Sequence, residues 1–420
     1  MSNYSGLERL AARLLGRFPA IKKLAKFSYS RAVFLRARKS FRYQSIATPL
    51  TYSHGQQSSF FGYYDKSPEN QSGFVLGHVT SLSTKESPST DQLVHLSVFD
   101  QNHQIIISLP ISAYNWQQGC RAQWLNDDVF MFNDFDSERS RYVARVYSVC
   151  QEEEIIVFDR PVQDSFGTEY YISLDYQRLM TLRPDYGYRN LSTLHTKELH
   201  DRENDGLWRV EYGTGTSQLL VSLADACKLN PLPEFPQAFH KFNHVMISPN
   251  GKRFIFMHRY LLGKRRFDRL LLADAQTGSL ELISDFGMVS HCFWVNENMI
   301  LGYLRGPCGK DGYWLVDVDT GEFKPCLQDI FEKYGDGHPH VCGDWFVTDT
   351  YPDKGRMQHL LLSNWKTGEV KEIGEFFHGF DFEGESRCDL HPRFSPDGKA
   401  VYFDSVFSGQ RQLYRMDLPQ

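Results

Sequence analysis

The chain has 420 residues, of which 14% are aromatic and 23% charged, with 31 glycines and a formal net charge of -5. This composition is typical of a soluble all-β domain, and the negative charge argues against nucleic-acid binding. The eight cysteines form no CxxC pair, and no apolar run has the length of a signal-peptide core or a membrane span. We therefore expect reduced thiols and a bacterial-type cytoplasmic location.

Residues 1–50 form a separate, basic extension. Between Glu8 and Arg42 a single acid stands against eleven cations. Apolar residues recur at helical spacing from Leu7 to Phe18, which predicts a short basic amphipathic helix. Three roles are open for it: a disordered arm, a helix packed beneath the following domain, or a peripheral anchor. As an anchor, residues 8–42 would bind the anionic surface of the inner membrane, with about 1 kcal/mol from each cation near the surface.

Residues 55–420 contain a repeat that is clearest at His244 and His391. Each histidine opens a short apolar strand, followed by a Ser-Pro-Asn-Gly or Ser-Pro-Asp-Gly turn and a strand rich in aromatic and β-branched residues. Weaker copies begin at His291 and His338, so the histidines are separated by 47, 47 and 53 residues. A period of this length is typical of propeller blades, and the sequence predicts an all-β, seven-bladed β-propeller.

Extending the register towards the N-terminus places Arg121, Glu169 and Tyr63 at the position of the histidines. Equivalent positions of successive blades lie at one height around a central channel, so all seven side chains are predicted to face one another. The gap of 75 residues between Glu169 and His244 predicts an insertion at about 195–240, as a long excursion or a lid.

The seven ring positions carry four imidazoles, an arginine, a glutamate and a tyrosine. Polar residues at such places also satisfy free strand-end backbone groups, but that role does not require groups that titrate or bind metals. We therefore favour a functional channel mouth. Cationic or cationisable residues at strand ends form a second layer next to the ring positions. Together with Arg393 beside the ring, this layer indicates an anionic ligand. Its members are Arg183, His258, Arg259 and Arg305.

The pair His338-Pro-His340 suggests a metal site. Side chains two residues apart lie on the same side of an extended strand, and His291 comes from the preceding blade. Three neutral imidazoles suit manganese, zinc, iron or nickel and leave coordination positions for substrate oxygen. The alternative is a His-Pro-His loop whose rings hydrogen-bond to backbone.

The repeat pattern, together with His244, His291 and the His338-Pro-His340 pair, resembles the oligogalacturonate lyase family of β-propeller polysaccharide lyases over roughly residues 59–420. The resemblance implies that His244 is the catalytic base, that the other three histidines hold a divalent ion, with manganese first, and that arginines hold substrate carboxylates. One departure is Gly335, which stands where the family has a glutamine, with Asp336 beside it.

The sequence thus predicts a metal-assisted lyase that cleaves an acidic, uronate-containing oligo- or polysaccharide by β-elimination. His244 would take the proton, Tyr63 or water would protonate the leaving oxygen, and Arg183 or Arg305 would stabilise the developing charge. Six further residues are predicted to contact the sugar: Arg121, Glu169, His258, Arg259, His391 and Arg393. The alternative is a non-catalytic propeller that holds an acidic glycan or a glycosyltransferase during cell-surface polysaccharide synthesis at the inner membrane.

Overall fold

The structure is a computed structural model that describes residues 19–90 and 92–419. Within these residues the strands form seven antiparallel sheets, six of four strands and one of five. The sheets follow one another along the chain and close into a ring. The predicted seven-bladed β-propeller is therefore confirmed.

Two short strands, β1 (Tyr43–Ser45) and β2 (Leu50–Tyr52), precede the blades and join the last two of them. Blade 1 contains β3–β6, at Ser58–Phe60, Val75–Thr80, Val94–Phe99 and Ile105–Ile111. Blade 2 contains β7–β10, at Gln123–Trp124, Val129–Asp136, Arg141–Ser148 and Glu153–Phe158. Blade 3 contains β11–β14, at Asp164–Phe166, Tyr170–Leu174, Gly206–Glu211 and Ser217–Ser222.

Blade 4 has the longest strands, β15–β18, at Phe239–Ile247, Arg253–Leu262, Arg265–Asp274 and Leu280–Gly287. Blade 5 contains β19–β22, at Val289–Trp294, Met299–Arg305, Asp311–Asp317 and Phe323–Pro325. Blade 6 contains β23–β26, at His340–Cys342, Trp345–Asp349, Met357–Asn364 and Val370–Phe377. Blade 7 contains β27–β29, at Arg393–Phe394, Ala400–Ser405 and Gln412–Asp417.

The repeated Ser-Pro-Asn-Gly and Ser-Pro-Asp-Gly motifs form the tight turns that the sequence predicts. In blade 4 the amide of Gly251 donates to the carbonyl of Ser248 at 2.9 Å, and in blade 7 Gly398 donates to Ser395 at the same distance. Both glycines have φ near +70°, a conformation that residues with a Cβ rarely adopt. The turn chemistry thus fixes where the first strand of each of these blades ends.

The ring closes through the N-terminal strands. Strand β2 pairs with β29 as the outer strand of blade 7, with Tyr52 opposite Leu413. Strand β1 pairs with β26 as a fifth strand of blade 6, with Tyr43 opposite Phe376. Two strands that precede blade 1 in the sequence therefore pair with the last two blades and close the ring.

Five helices lie in the described part of the chain, and four of them interrupt the blades. Helices α2 (Tyr176–Leu182) and α3 (Thr196–Leu199) lie between β12 and β13, α4 (Leu223–Lys228) lies between blades 3 and 4, and α5 (Gln328–Phe331) lies between blades 5 and 6. The predicted insertion at 195–240 is therefore two segments, since β13 and β14 of blade 3 fall inside it. The chain also forms short 3-10 turns at Phe235–Gln237 and Gly384–Ser386.

The basic extension contains a helix that lies against blade 6. Helix α1 spans Pro19–Ala37, and the ring of Phe34 lies 5.9 Å from Phe377 and 5.2 Å from Phe380. The side chain of Arg42 donates to the carbonyl of Phe407 at 2.6 Å. The apolar pattern from Leu7 to Phe18 lies outside the described residues, and the lipid contact stays a prediction. Among the described residues, no helix is both long and apolar enough to span a membrane.

We expect the closing strand to contribute strongly to stability. The Tyr52 side chain is 4% exposed and packs against Phe99 and Tyr402, while Leu50 in the same strand is 42% exposed. Tyr52→Ala should lower the free energy of unfolding by about 3 kcal/mol or more, as expected for loss of a buried aromatic side chain. Leu50→Ala, the control, should change it by less than about 1 kcal/mol. Equal effects of both variants in chemical denaturation would contradict the described closure.

Candidate functional site

Three of the predicted ring residues share an unusual backbone conformation. Arg121, His244 and His391, in blades 2, 4 and 7, have φ of +57°, +53° and +44°. Non-glycine residues adopt this region at a cost of about 1–3 kcal/mol, and such strain is concentrated at functional sites. Its recurrence at equivalent positions supports the predicted register for these blades.

Four imidazoles from consecutive blades meet in the channel. The ring centroids of His244 and His291 are 5.6 Å apart, those of His291 and His338 are 4.0 Å apart, and those of His338 and His391 are 4.3 Å apart. Tyr64 lies against this row, with its ring 5.5 Å from that of His338. All five side chains are buried.

Three of these rings are held in the same way. The Nδ1 atom of His338 lies 2.8 Å from a carboxylate oxygen of Asp349, and that of His391 lies 2.9 Å from the carbonyl of Gly62. The Nδ1 atom of His291 lies 3.1 Å from the carbonyl of Gly337. An oxygen acceptor at Nδ1 places the proton on that atom and leaves the lone pair on Nε2. The Nε2 atoms of His338 and His391 are buried and have no hydrogen-bond partner among the described residues.

Burial and neighbouring charges shift the pKa values of these imidazole rings in different directions. Burial, reinforced by His338, lowers the pKa of His291 to about 4 and that of His391 well below its usual value. Burial also acts against a proton on His338, but the carboxylates of Asp349 and Asp389 outweigh it and raise its pKa. The carboxyl of Asp389 is itself buried, yet Arg387 and His338 hold its pKa far below the usual range. At neutral pH the row therefore presents His291 and His391 as unprotonated rings beside the Asp389 carboxylate, while the raised pKa of His338 favours its protonated form.

A group of possible metal ligands lies at one end of the row. Ligand atoms of His338, Asp389 and His391 lie within 4.8 Å of one another, and the ring of His291 packs on His338. His340, predicted as a ligand, lies further down the channel, where its ring packs on Phe293 with centroids 4.4 Å apart. The predicted set of His291, His338 and His340 is thus not the group that the fold assembles.

His244 pairs with Tyr63. The Tyr63 hydroxyl hydrogen-bonds to Nδ1 of His244, and the two rings stack at 5.1 Å. Tyr186, on the loop after helix α2, packs edge-on against both rings and covers them. Burial and then the Arg259 guanidinium lower the pKa of His244 well below its ordinary value, so this ring is a neutral proton acceptor.

The structure gives Arg121 an internal role. Its guanidinium donates to both carboxylate oxygens of Asp65, at 3.0 and 2.7 Å, and to the carbonyl of Gln163. This clasp links blades 1, 2 and 3 and leaves little donor capacity for a sugar.

The prediction for Glu169 is wrong in its register. Glu169 lies exposed in the turn between β11 and β12, away from the channel. The Ser-Leu-Asp motif that follows it is not a hairpin turn, because Asp175 caps helix α2 by accepting from the amides of Gln177 and Arg178. The inner strand of blade 3 is therefore Asp164–Phe166.

Two more predicted ligand-binding residues, Arg393 and Arg305, have partners within the protein. Arg393 is fully buried and donates to Asp404 at 3.2 Å and to the carbonyl of His391 at 2.6 Å. Arg305 is an exposed strand-end residue that donates to Asp311 at 2.7 Å. Neither guanidinium lies free in the channel.

His258 lies on the face of blade 4 that packs against the segment from blade 3. Its Nε2 atom is 2.9 Å from Nδ1 of His240, whose Nε2 is 2.9 Å from the carbonyl of Phe235. Arg269 lies 3.4 Å from the remaining nitrogen of His258. These contacts run in one direction, from Arg269 through His258 and His240 to the carbonyl of Phe235, so we interpret them as a structural network. Cys227 and both histidines also bring their ligand atoms within 4.8 Å of one another.

Two predicted cations do lie beside the channel. The guanidinium of Arg183 stacks 4.9 Å from the ring centre of Tyr186, and Arg259 pairs with Asp268 at 3.0 Å and donates to the carbonyl of Val289. Three residues next to the row were not predicted: Tyr64, Asp349 and Asp389. Asp389 lies two residues before His391, and side chains at this spacing lie on one side of an extended segment. The sequence could therefore have predicted Asp389 as a neighbour of His391.

Two solved structures share this architecture. An oligogalacturonate lyase from Vibrio parahaemolyticus aligns over 91% of this chain and 98% of its own, with a TM-score of 0.59 and 12% identity. An oligogalacturonate lyase in complex with manganese aligns over 90% of this chain and 99% of its own, with a TM-score of 0.55 and 16% identity. The resemblance is thus confirmed for the fold, a seven-bladed β-propeller. No protein-family model and no curated protein sequence matches the chain.

We expect Asp65 to act as the structural partner of Arg121. Asp65→Asn removes the charge that balances a buried guanidinium and should lower the free energy of unfolding by about 3 kcal/mol. Asp159→Asn is the matched control, because Asp159 pairs with Arg141 at 3.2 Å on the exposed surface, where such pairs contribute about 1 kcal/mol or less. Denaturant titration that finds both variants equally stable would contradict the structural role.

Proposed function

We propose that this protein is a metal-assisted lyase that cleaves acidic, uronate-containing oligosaccharides by β-elimination inside the channel. The observation that carries the proposal is the row of buried imidazoles whose Nδ1 atoms are anchored and whose Nε2 atoms at His338 and His391 lack a partner. A buried polar atom without a partner costs about 1–3 kcal/mol, and His338 and His391 also belong to a group of side chains whose ligand atoms lie within 4.8 Å of one another, which favours a bound ligand.

The residues present fit a divalent cation. Histidines that bind metals commonly donate their second ring N–H to a carbonyl or carboxylate, and His291, His338 and His391 all do so. With the carboxylate of Asp389, these rings would hold the ion, and manganese is the first candidate because a similarly folded lyase binds it. A bound divalent ion supplies a Lewis acid that stabilises negative charge on carboxylate oxygens.

His244 and Tyr63 are placed to move the two protons of an elimination. The neutral ring of His244 would take the proton next to the sugar carboxylate, and the hydroxyl of Tyr63 would protonate the departing glycosidic oxygen. The hydrogen bond that joins these two groups then returns the proton from the imidazolium to the phenolate. The net charge of the pair is thereby restored, and proton exchange with water returns the imidazole to its starting tautomer.

Cations beside the pair favour an acidic substrate. Arg183 and Arg259 lie near Tyr186 and His244, where positive charge stabilises a carboxylate and the enolate-like charge that forms on it. Tyr186 covers His244, so the sugar reaches the pair when the Arg183–Tyr186 turn moves aside.

The proposed metal ligands include His391 but not His340, so substitutions of these two histidines should affect metal binding differently. His391→Ala should weaken metal binding by more than about 100-fold, because loss of an outer hydrogen-bond partner alone costs about 10–100-fold. His340→Ala, the matched control, should retain the ion. The measurement is elemental analysis of each protein after dialysis against manganese. If only the His340 variant loses the ion, the proposed ligands are wrong and the ligand set predicted from the sequence is supported.

The proposed base is tested by activity. His244→Ala should reduce kcat by about 10²–10⁴-fold while the metal content stays unchanged, because the proton acceptor is lost and the ligands are not. The exposed His95 provides the control, and His95→Ala should be fully active. The readout is the absorbance of the unsaturated uronate formed from a panel of acidic oligosaccharides. A wild-type protein that binds no metal and yields no product on any of them would favour the non-catalytic scaffold.

A further inference from the structure

Strand β15 extends beyond His244 and carries an unusual pair of side chains. Lys241 and Asn243 are two residues apart, so they lie on the same face of the strand. Arg259 stands directly opposite Lys241 on β16. The three side chains form a row that ends next to the proposed base.

The polar atoms of this pair are buried and unpaired. Lys241 is 1% exposed and Asn243 is 3% exposed. The Nζ atom of Lys241 and both amide atoms of Asn243 have no hydrogen-bond partner among the described residues. A buried amine without a partner destabilises the folded chain in either protonation state, and an unsatisfied amide adds to that cost.

The charges around Lys241 do not balance. The cations that face it are Arg259 and Arg266 from blade 4 and Arg183 from the turn after helix α2. The carboxylates are Asp268 and Asp185, which pairs with Arg183 at 3.1 Å. Asp268 is already shared by Arg259 at 3.0 Å and Arg266 at 3.2 Å. The surroundings of Lys241 therefore carry excess positive charge, which an anion would neutralise.

We propose that Lys241, Asn243 and Arg259 form a binding subsite for an oxyanion, and that its occupant is a carboxylate of the sugar. The ammonium and guanidinium groups donate to the anion, and the Asn243 amide supplies a further N–H. The identity of the occupant rests on the proposed function, since Asn243 directly precedes His244. The anion enters when the Arg183–Tyr186 turn moves aside.

Binding at this subsite is coupled to proton uptake. Burial, followed by Arg259 and Arg183, lowers the pKa of Lys241 well below its ordinary value of about 10.4 in the free protein. An anion favours the charged amine and raises that pKa again. Between the lowered pKa and the ordinary value, binding therefore takes up a proton, and the affinity falls as the pH rises through this interval.

The first experiment requires no sugar. Lys241→Met removes the unpaired amine at nearly constant volume, so the variant should have a higher Tm than the wild type in chloride. Lys252→Met, at an exposed turn of the same blade, should leave Tm unchanged. Sodium sulfate should raise the Tm of all three proteins through its general stabilising effect. The increase should be larger for the wild type and the Lys252 variant, because only these two retain the anion subsite. A lower Tm for Lys241→Met in chloride, or equal sulfate shifts in all three proteins, would overturn the subsite.

The second experiment identifies the occupant. Calorimetric titration with trigalacturonate at pH 8, in Tris and in triethanolamine, which contain no oxyanion, gives the number of protons taken up on binding. Each protein also carries His244→Ala, so that the sugar is bound and not cleaved. We expect uptake by the wild type and by Lys252→Met, and at least tenfold weaker binding without uptake by Lys241→Met. Equal affinity and uptake in the Lys241 variant would overturn the proposal. Sulfate binding at Lys241 without any trigalacturonate binding would overturn the carboxylate occupant and the proposed substrate, and would leave the oxyanion subsite standing.

Discussion

The stacking of blades is the constraint on which this structure depends. Each four-stranded sheet has two largely apolar faces and covers them only with its neighbours, as where Phe376 of blade 6 packs on Phe403 of blade 7 with ring centroids 4.7 Å apart. The chain must therefore close into a ring, and β2 completes the closure. Closure fixes one height in the channel where side chains from distant parts of the sequence meet.

The channel contains two kinds of buried polar group. Some form ion pairs within the protein, as in the pair of Arg121 with Asp65 and that of Arg393 with Asp404. Others have no partner among the described residues, including Nε2 of His338, Nε2 of His391 and the amine of Lys241. Desolvated groups left unpaired destabilise the folded chain, and the proposed metal and anion sites lie at these groups.

The repeat determined what could be predicted. Histidines and turns recur in one register, and this was enough to infer the seven blades and the meeting of His244, His291, His338 and His391. The register failed at Glu169, because in blade 3 the Ser-Leu-Asp sequence caps a helix and does not form a turn. Local sequence cannot distinguish these uses, since a short polar side chain satisfies free amides in both.

The remaining wrong predictions concern how deep a side chain lies in the channel and towards which neighbouring segment it points. The alternation of side chains placed His338 and His340 on one side of the strand, but a strand rises about 3.3 Å per residue, so His340 reaches the level of Phe293 and not that of the other rings. His258 faces the helical segment between blades 3 and 4, whose path no periodicity encodes. Lys241 was missed because it lies outside the repeat, and its significance depends on burial and on neighbours distant in the sequence.

The metal ligands can be seen in a crystal structure of the full chain grown with manganese, from an anomalous difference map at the manganese edge. We expect one strong peak in the channel within bonding distance of the Nε2 atoms of His338 and His391. A channel without a peak, or a peak held by His340 or by Cys227, His240 and His258, would contradict this expectation.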